Sequence, residues 1–137
     1  LLFWEDKLMM ASHKLIVTTD DGTAGRKGLV TEPLKELMES QKVDLAVIIG
    51  PGIMMKFGAL TTLPFKVKTI VSLNPIMVEG TGMCGCCRVT VNGQVKFSCV
   101  DGPEFEADKV DWEELQTRNS MYLDKEKHIC KLKFCDA

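Results

Sequence analysis

The sequence predicts an α/β fold: a partial doubly wound parallel sheet followed by a small module built on a β-hairpin. Three observations predict it. β-Branched runs alternate with helical spacings up to residue 73, and the grammar changes to glycine and cysteine after Asn74-Pro75. The stretch RVTVNGQVKF then alternates with period two around Asn92-Gly93, the strongest short hairpin signal.

Taken in order, residues 1–11 carry apolar side chains at helical spacing and read as the tail of a helix. KLIVTT (14–19) is a strand that runs into the loop DDGTAGRKG, and Thr31 with Pro33 supplies the start of a helix over EPLKELMES. DLAVIIG (44–50) reads as a fully buried strand, PGIMMKFGALTTL as a helix, and VKTIVSL (67–73) as a further strand. Strands apolar on both faces that alternate with helices require a parallel sheet joined by right-handed crossovers. After the hairpin, VDWEEL (110–115) predicts a short helix capped by Asp111, and DKEKHICKLKFCDA is expected as a solvated extension. The predicted organisation is therefore an α/β piece over 1–75, half of a doubly wound domain; a cysteine-bearing module over 76–122; and an extension over 123–137.

Composition narrows the function classes. With 137 residues, 45% hydrophobic, 26% charged and a formal net charge of −2, the chain has material for one ordinary domain and no basic field for nucleic acid. Its most apolar run, LAVIIGPGIMM, is far short of the roughly 20 residues of a membrane span and contains Gly and Pro. The chain opens LLFWEDKLMM, with no secretory signal and no initiator Met, and reads as a piece of a longer protein.

Four of the 6 cysteines (Cys84, Cys86, Cys87, Cys99) crowd into one short segment, which favours a cytosolic metal site over a set of disulfides. The spacing is Cys84-x2-Cys87-x11-Cys99, with Glu79 ahead of it, so three thiolates and one carboxylate make four ligands. Gly82 and Gly85 let the backbone fold around a metal and aim amide donors at sulfur. A 2Fe-2S cluster, a tetrahedral zinc and simple buried thiols all remain open on spacing alone. Cys86, between two candidate ligands, is expected to pack away from the metal. Cys130 and Cys135 are expected as bystanders, His13 and His128 as surface residues, and Met54-Met55 as core filling.

The stretches TTDDGTAGRKG, IIGPGIMMKF, SLNPIMVEGTGMCGCCRVTVNG and FSCVDGPEF together resemble the ferredoxin-NADP reductase-like iron-sulfur flavoprotein subunits. Within that family the likeness is to the small subunits of NADH-dependent ferredoxin:NADP oxidoreductases, also described as sulfide dehydrogenases, and to dihydroorotate dehydrogenase electron-transfer subunits. The resemblance spans roughly residues 1–122, and its M-C-G-x-C and C-x-D-G-P motifs are specific.

It implies an order of flavin-binding β-barrel, pyridine-nucleotide domain and 2Fe-2S module, of which this sequence carries the later parts. FAD would sit in a preceding barrel, and the glycine-rich phosphate loop of the nucleotide domain would also precede Leu1. Cys84, Cys87 and Cys99 fall on the family's cluster cysteines. Glu79 falls where the dihydroorotate relatives have a fourth Cys and the ferredoxin:NADP relatives have Asp; a carboxylate is a harder donor that changes cluster charge and potential. Gly50, Pro51 and Met54 match a region near nicotinamide and flavin, without the Cys found there in the family. Residues 17–20, including Thr19 and Asp20, fall where NADP-specific reductases place a Ser-Arg pair; Asp20 and Asp21 would repel an additional phosphate, which favours NAD.

The function implied is an electron-transfer subunit of an NAD(P)H/ferredoxin-type flavoprotein oxidoreductase, inactive as this isolated piece. Its expected partners are a larger flavoprotein or iron-sulfur subunit, pyridine nucleotide and ferredoxin, in the cytoplasm. The alternatives are a zinc-stabilised binding module without a redox role, or the same redox module serving a hydrogenase or dihydroorotate dehydrogenase.

Overall fold

The computed structural model describes residues 3–134; Cys135 and the first two residues of the expected opening helix lie outside them. The chain forms two compact units that meet between Lys42 and Val43 in sequence.

The first unit holds helix α1 (Glu5–Ala11), the two-residue parallel pair β1 (Thr18–Thr19) and β2 (Arg26–Lys27), and helix α2 (Thr31–Ser40). The strand expected over 14–19 is thus reduced to its last two residues. A strand persists only where a neighbour satisfies its backbone, and the ladder here is β2 alone. The intervening loop is closed from within: Thr19 Oγ1 donates to the Ala24 carbonyl at 2.8 Å, and Asp21 Oδ1 accepts from the Thr23 amide at 2.9 Å. Helix α2 begins at Thr31 as expected, although Val30 is its N-cap and no side chain caps it.

In the second unit, β3 (Leu45–Ile49) and β4 (Lys68–Ser72) run parallel and are joined by α3 (Gly52–Thr62), as the alternation of apolar runs predicts. The sheet is extended on the other side of β4 by β7 (Glu104–Glu106), which runs antiparallel with Ser72 opposite Glu104. That strand was not legible in the sequence. The expectation of a fully buried β3 fails: Ala46 is buried, while Leu45, Val47 and Ile49 on the opposite face are 53%, 57% and 70% exposed. Alternation of side chains across a strand hides one face only when the other face has no cover.

The core gathers Met55 from α3, Val71 and Leu73 from β4 and its end, Val89 from the hairpin, Val110, and Leu115 from α5 (Trp112–Asn119). Residues on both sides of position 75 therefore share one apolar centre. Within it, Thr69 Oγ1 donates to Thr62 Oγ1 at 2.7 Å and Thr62 Oγ1 to the Ala59 carbonyl at 2.9 Å, so these buried hydroxyls are satisfied.

The hairpin forms as predicted, with β5 (Arg88–Val91) paired to β6 (Gln94–Phe97) and both Asn92 and Gly93 at positive φ, the type I′ geometry that matches strand twist. Its β5 side is tied to the segment before α5: Asp111 N–H donates to the Thr90 carbonyl at 2.9 Å, and Asn92 N–H to the Lys109 carbonyl at 2.7 Å. Helix α5 is capped as expected, Asp111 Oδ1 accepting from the Glu113 and Glu114 amides at 3.1 and 2.9 Å. The predicted extension contains helix α6 (Leu123–Phe134), whose residues up to Cys130 are exposed, His128 among them. Among the described residues no helix is long and apolar enough to cross a membrane.

Candidate metal centre

The register of the hairpin explains how two distant cysteines meet. Arg88 pairs with Phe97, so Cys87 and Ser98 are the next residues out, and Ser98 N–H donates to the Cys87 carbonyl at 3.1 Å. The chain then turns at once into the single-turn helix α4 (Ser98–Asp101), where Asp101 Oδ2 accepts the Phe97 amide at 2.7 Å. This turn swings Cys99 back over the hairpin's open end, and its sulfur lies 3.2 Å from that of Cys87.

That separation is well beyond the roughly 2.05 Å of a disulfide, and both thiols are free. Two thiolates on one tetrahedral metal with bonds of about 2.3 Å stand about 3.8 Å apart. A small opening of the pair would seat a sulfur-ligated metal or cluster.

Cys84 comes from the loop that precedes β5. Gly82, at φ +84, carries the chain past Val100 so closely that a Cβ there would lie 2.8 Å from Val100 Cγ2; the turn needs glycine both for its conformation and for its space. Hydrogen bonds from the backbone amides of Cys86, first, and of Glu79 hold the Cys84 thiol below its ordinary pKa, although the nearby Glu79 carboxylate opposes them. Amide donors aimed at a sulfur favour thiolate and are the kind of contact that tunes a sulfur-ligated cofactor. The Cys99 thiol is pushed up, chiefly by its hydrogen bond with Cys87 and then by desolvation, with a Gly82 amide acting the other way. Cys86 is likewise raised, first by its hydrogen bond with Cys84.

The structure thus brings Cys87 and Cys99 together and places Glu79 beside Cys84. Among the described residues no group of three or more His, Cys, Asp or Glu side chains is gathered closely enough to hold a metal ion. The donor chemistry fits an iron-sulfur or other thiolate-bound group: three thiols, two of them in contact, with backbone amides already directed at sulfur. Cys130 is exposed on α6.

Gly50, Pro51 and Met54 lie at the carboxyl end of β3, the end at which open α/β sheets receive ligands. Pro51 is the N-cap residue of α3, and the absent Cβ of Gly50 leaves room for the Met54 methyl, which would otherwise be 2.3 Å away. Met54 is half-buried and Met55 fully buried. In the first unit, Asp20 and His13 are exposed. Arg26 is engaged by Glu36 at 2.6 and 2.7 Å and by Glu32 at 3.4 Å. These bonds raise the guanidinium pKa and lower that of Glu36. Thr19 spends its hydroxyl on the loop itself.

Sequence reasoning missed three side chains around this centre. Asn74 Nδ2 donates to the Gly50 carbonyl at 3.4 Å, Asn119 Nδ2 to the Asn74 carbonyl at 3.4 Å, and Arg118 Nη2 to the Cys86 carbonyl at 3.1 Å. Asn74 had a local signal in its Asn-Pro pair. Arg118 and Asn119 had none, because their partners are 32 and 45 residues away.

Residues 74–111 match the iron-sulfur cluster binding domain of dihydroorotate dehydrogenase B. The chain is 55% identical over 126 residues to a Thermotoga maritima protein named as a homolog of the dihydroorotate dehydrogenase B (NAD(+)) electron transfer subunit, covering 92% of this chain and 44% of that one. It is equally 55% identical over 128 residues to an uncharacterized protein of Clostridium beijerinckii, 92% of this chain and 43% of that one. A chain in the solved structure of an NADH-dependent reduced ferredoxin-NADP oxidoreductase, described for flavin-based electron bifurcation, superposes with a TM-score of 0.79 at 53% identity, covering 89% of this chain and 44% of that chain. The chain spans less than half the length of each of these relatives.

Proposed function

From the match of residues 74–111 to an iron-sulfur cluster binding domain and the likeness to an electron transfer subunit homolog, we propose that the chain is the cluster-bearing part of an oxidoreductase subunit, holding a 2Fe-2S cluster through Cys84, Cys87, Cys99 and Glu79. The observation that carries the reading is the Cys87–Cys99 thiol pair at 3.2 Å within the matched segment. When bound, such a cluster takes up and releases electrons singly, which lets it connect a two-electron donor to a one-electron acceptor. The hairpin and α4 fix two ligands, the glycine loop supplies Cys84 with amides that favour thiolate, and Glu79 lies beside that sulfur.

In this reading residues 1–75 are the later part of a pyridine-nucleotide domain, 76–122 the cluster module and 123–137 an extension. The family resemblance assigns Gly50, Pro51 and Met54 to nicotinamide and flavin, and Thr19 and Asp20 to the nucleotide's adenosine. Asp20 and Asp21 are exposed and Arg26 is paired with Glu36 and Glu32, so of the loop's two cations Lys27 is left to meet an added phosphate against two aspartates; NAD is the favoured nucleotide. FAD belongs to the barrel of the full-length protein, and a larger flavoprotein or iron-sulfur subunit, with ferredoxin as a further client, receives the electrons in the cytoplasm.

The test is anaerobic addition of NADH to the full-length protein reconstituted with FAD, followed by electron paramagnetic resonance. The proposal expects a reduced 2Fe-2S signal to appear after flavin reduction. Flavin bleaching with an unreduced cluster would contradict the relay.

A further inference from the structure

The last turn of α5 reaches the cysteine loop. Arg118 donates from Nη2 to the Cys86 carbonyl at 3.1 Å, and the next residue, Asn119, donates to the Asn74 carbonyl, whose own side chain reaches the Gly50 carbonyl. One helical turn therefore touches both the loop with Cys84 and Cys87 and the backbone at the carboxyl end of the sheet. Arg118 Nε and Asn119 Oδ1 are buried and, among the described residues, meet no hydrogen-bonding partner. Both residues line a cavity of about 240 Å³ shared with Cys84 and Cys86.

A half-buried guanidinium with a spare donor costs stability unless something nearby repays it. Negative charge accumulating on the loop's thiolates is such a compensation, and a fixed cation stabilises the more negative of two redox states.

We propose that Arg118 is a positioning residue for the cluster: it fastens the Cys84–Cys87 loop to α5 through the Cys86 carbonyl and places a positive charge that makes the bound cluster easier to reduce. This rests on the iron-sulfur reading above, and goes beyond it in assigning a role to a residue outside the ligand set. No ligand bond to Arg118 is involved; its effect passes through loop position and field.

The test compares Arg118→Gln, Arg118→Lys and the exposed control Thr117→Ala in the full-length, anaerobically loaded protein, by redox titration of the cluster signal and by the rate of iron release to a chelator. Arg118→Gln is expected to make the cluster harder to reduce by on the order of tenfold, about 59 mV for one electron, and to release iron several-fold faster. Arg118→Lys should restore most of the potential, and Thr117→Ala should change neither quantity. If Arg118→Gln fails to retain iron while Arg118→Lys retains it, the charge is still identified as the holding element. Unchanged potential and release rate in Arg118→Gln, or equal changes in Gln and Lys variants, would overturn the proposal. A parent protein that binds no iron and sulfide would instead refute the iron-sulfur reading on which it depends, before any variant is compared.

Discussion

The two halves of the cysteine cluster are built in different ways. Cys87 and Cys99 flank a hairpin whose register, type I′ turn and buried Val89 fix their approach to 3.2 Å. Cys84 and Glu79 instead belong to a loop without regular structure, held by backbone amides and the Arg118 contact, and both side chains are exposed. The Cys87–Cys99 half is set by hairpin register, whereas the Cys84–Glu79 half is set by a few backbone contacts in an exposed loop. The loop half leaves the Cys84 thiol open to solvent and to oxidation.

The largest effect is expected from removing a thiol of the hairpin-held pair. Cys99→Ser or Cys87→Ser should eliminate nearly all bound iron, measured per chain after anaerobic reconstitution, with the fold retained by circular dichroism. Undermining the support of the hairpin comes next. Leu115, 2% exposed in the core beneath it, should cost about 2–5 kcal/mol when replaced by Ala, read by chemical denaturation. In the loop, Gly82→Val meets both a positive φ and the Val100 side chain, and is expected to slow cluster loading several-fold while changing overall stability by only about 1–3 kcal/mol.

A pH series on the metal-free protein sharpens the comparison without mutation. The Cys84 pKa is lowered and that of Cys99 raised, so the thiolate of Cys84 forms at lower pH and alkylation by iodoacetamide should begin there first. Mass spectrometry of labelled peptides that found Cys99 reacting at the lower pH would reverse the assignment of open and closed halves. The smallest effect is expected from Cys86→Ser, which should leave iron content close to that of the parent, since its carbonyl and not its thiol is what Arg118 holds.

Much of this arrangement was legible in the sequence, for identifiable reasons. Asn92-Gly93 between alternating residues dictates the hairpin locally, Asp111 caps α5 locally, and the alternation of apolar runs with helix spacings fixes the parallel pair of β3 and β4. Illegible features depend on contacts distant in sequence. Residues 104–106 have no local strand signal and become β7 only by pairing with β4. The KLIVTT run has strand composition and keeps only two paired residues, because composition cannot provide a neighbour. At the site, cysteine spacing pointed to candidate donors, but the approach of Cys87 and Cys99 depends on α4 turning the chain back immediately after β6, and Arg118 reaches its loop across 32 residues.

The central claim is that residues 79–99 hold an iron-sulfur cluster, and its most direct test is iron, acid-labile sulfide and zinc per chain on anaerobically purified protein, with an electron paramagnetic resonance spectrum after dithionite reduction. About two irons and two sulfides for each chain, on the stoichiometry of a 2Fe-2S centre, and a reduced-cluster signal are expected. One zinc with no labile sulfide, persisting after cluster reconstitution, would contradict it and leave the cysteines as a structural zinc site.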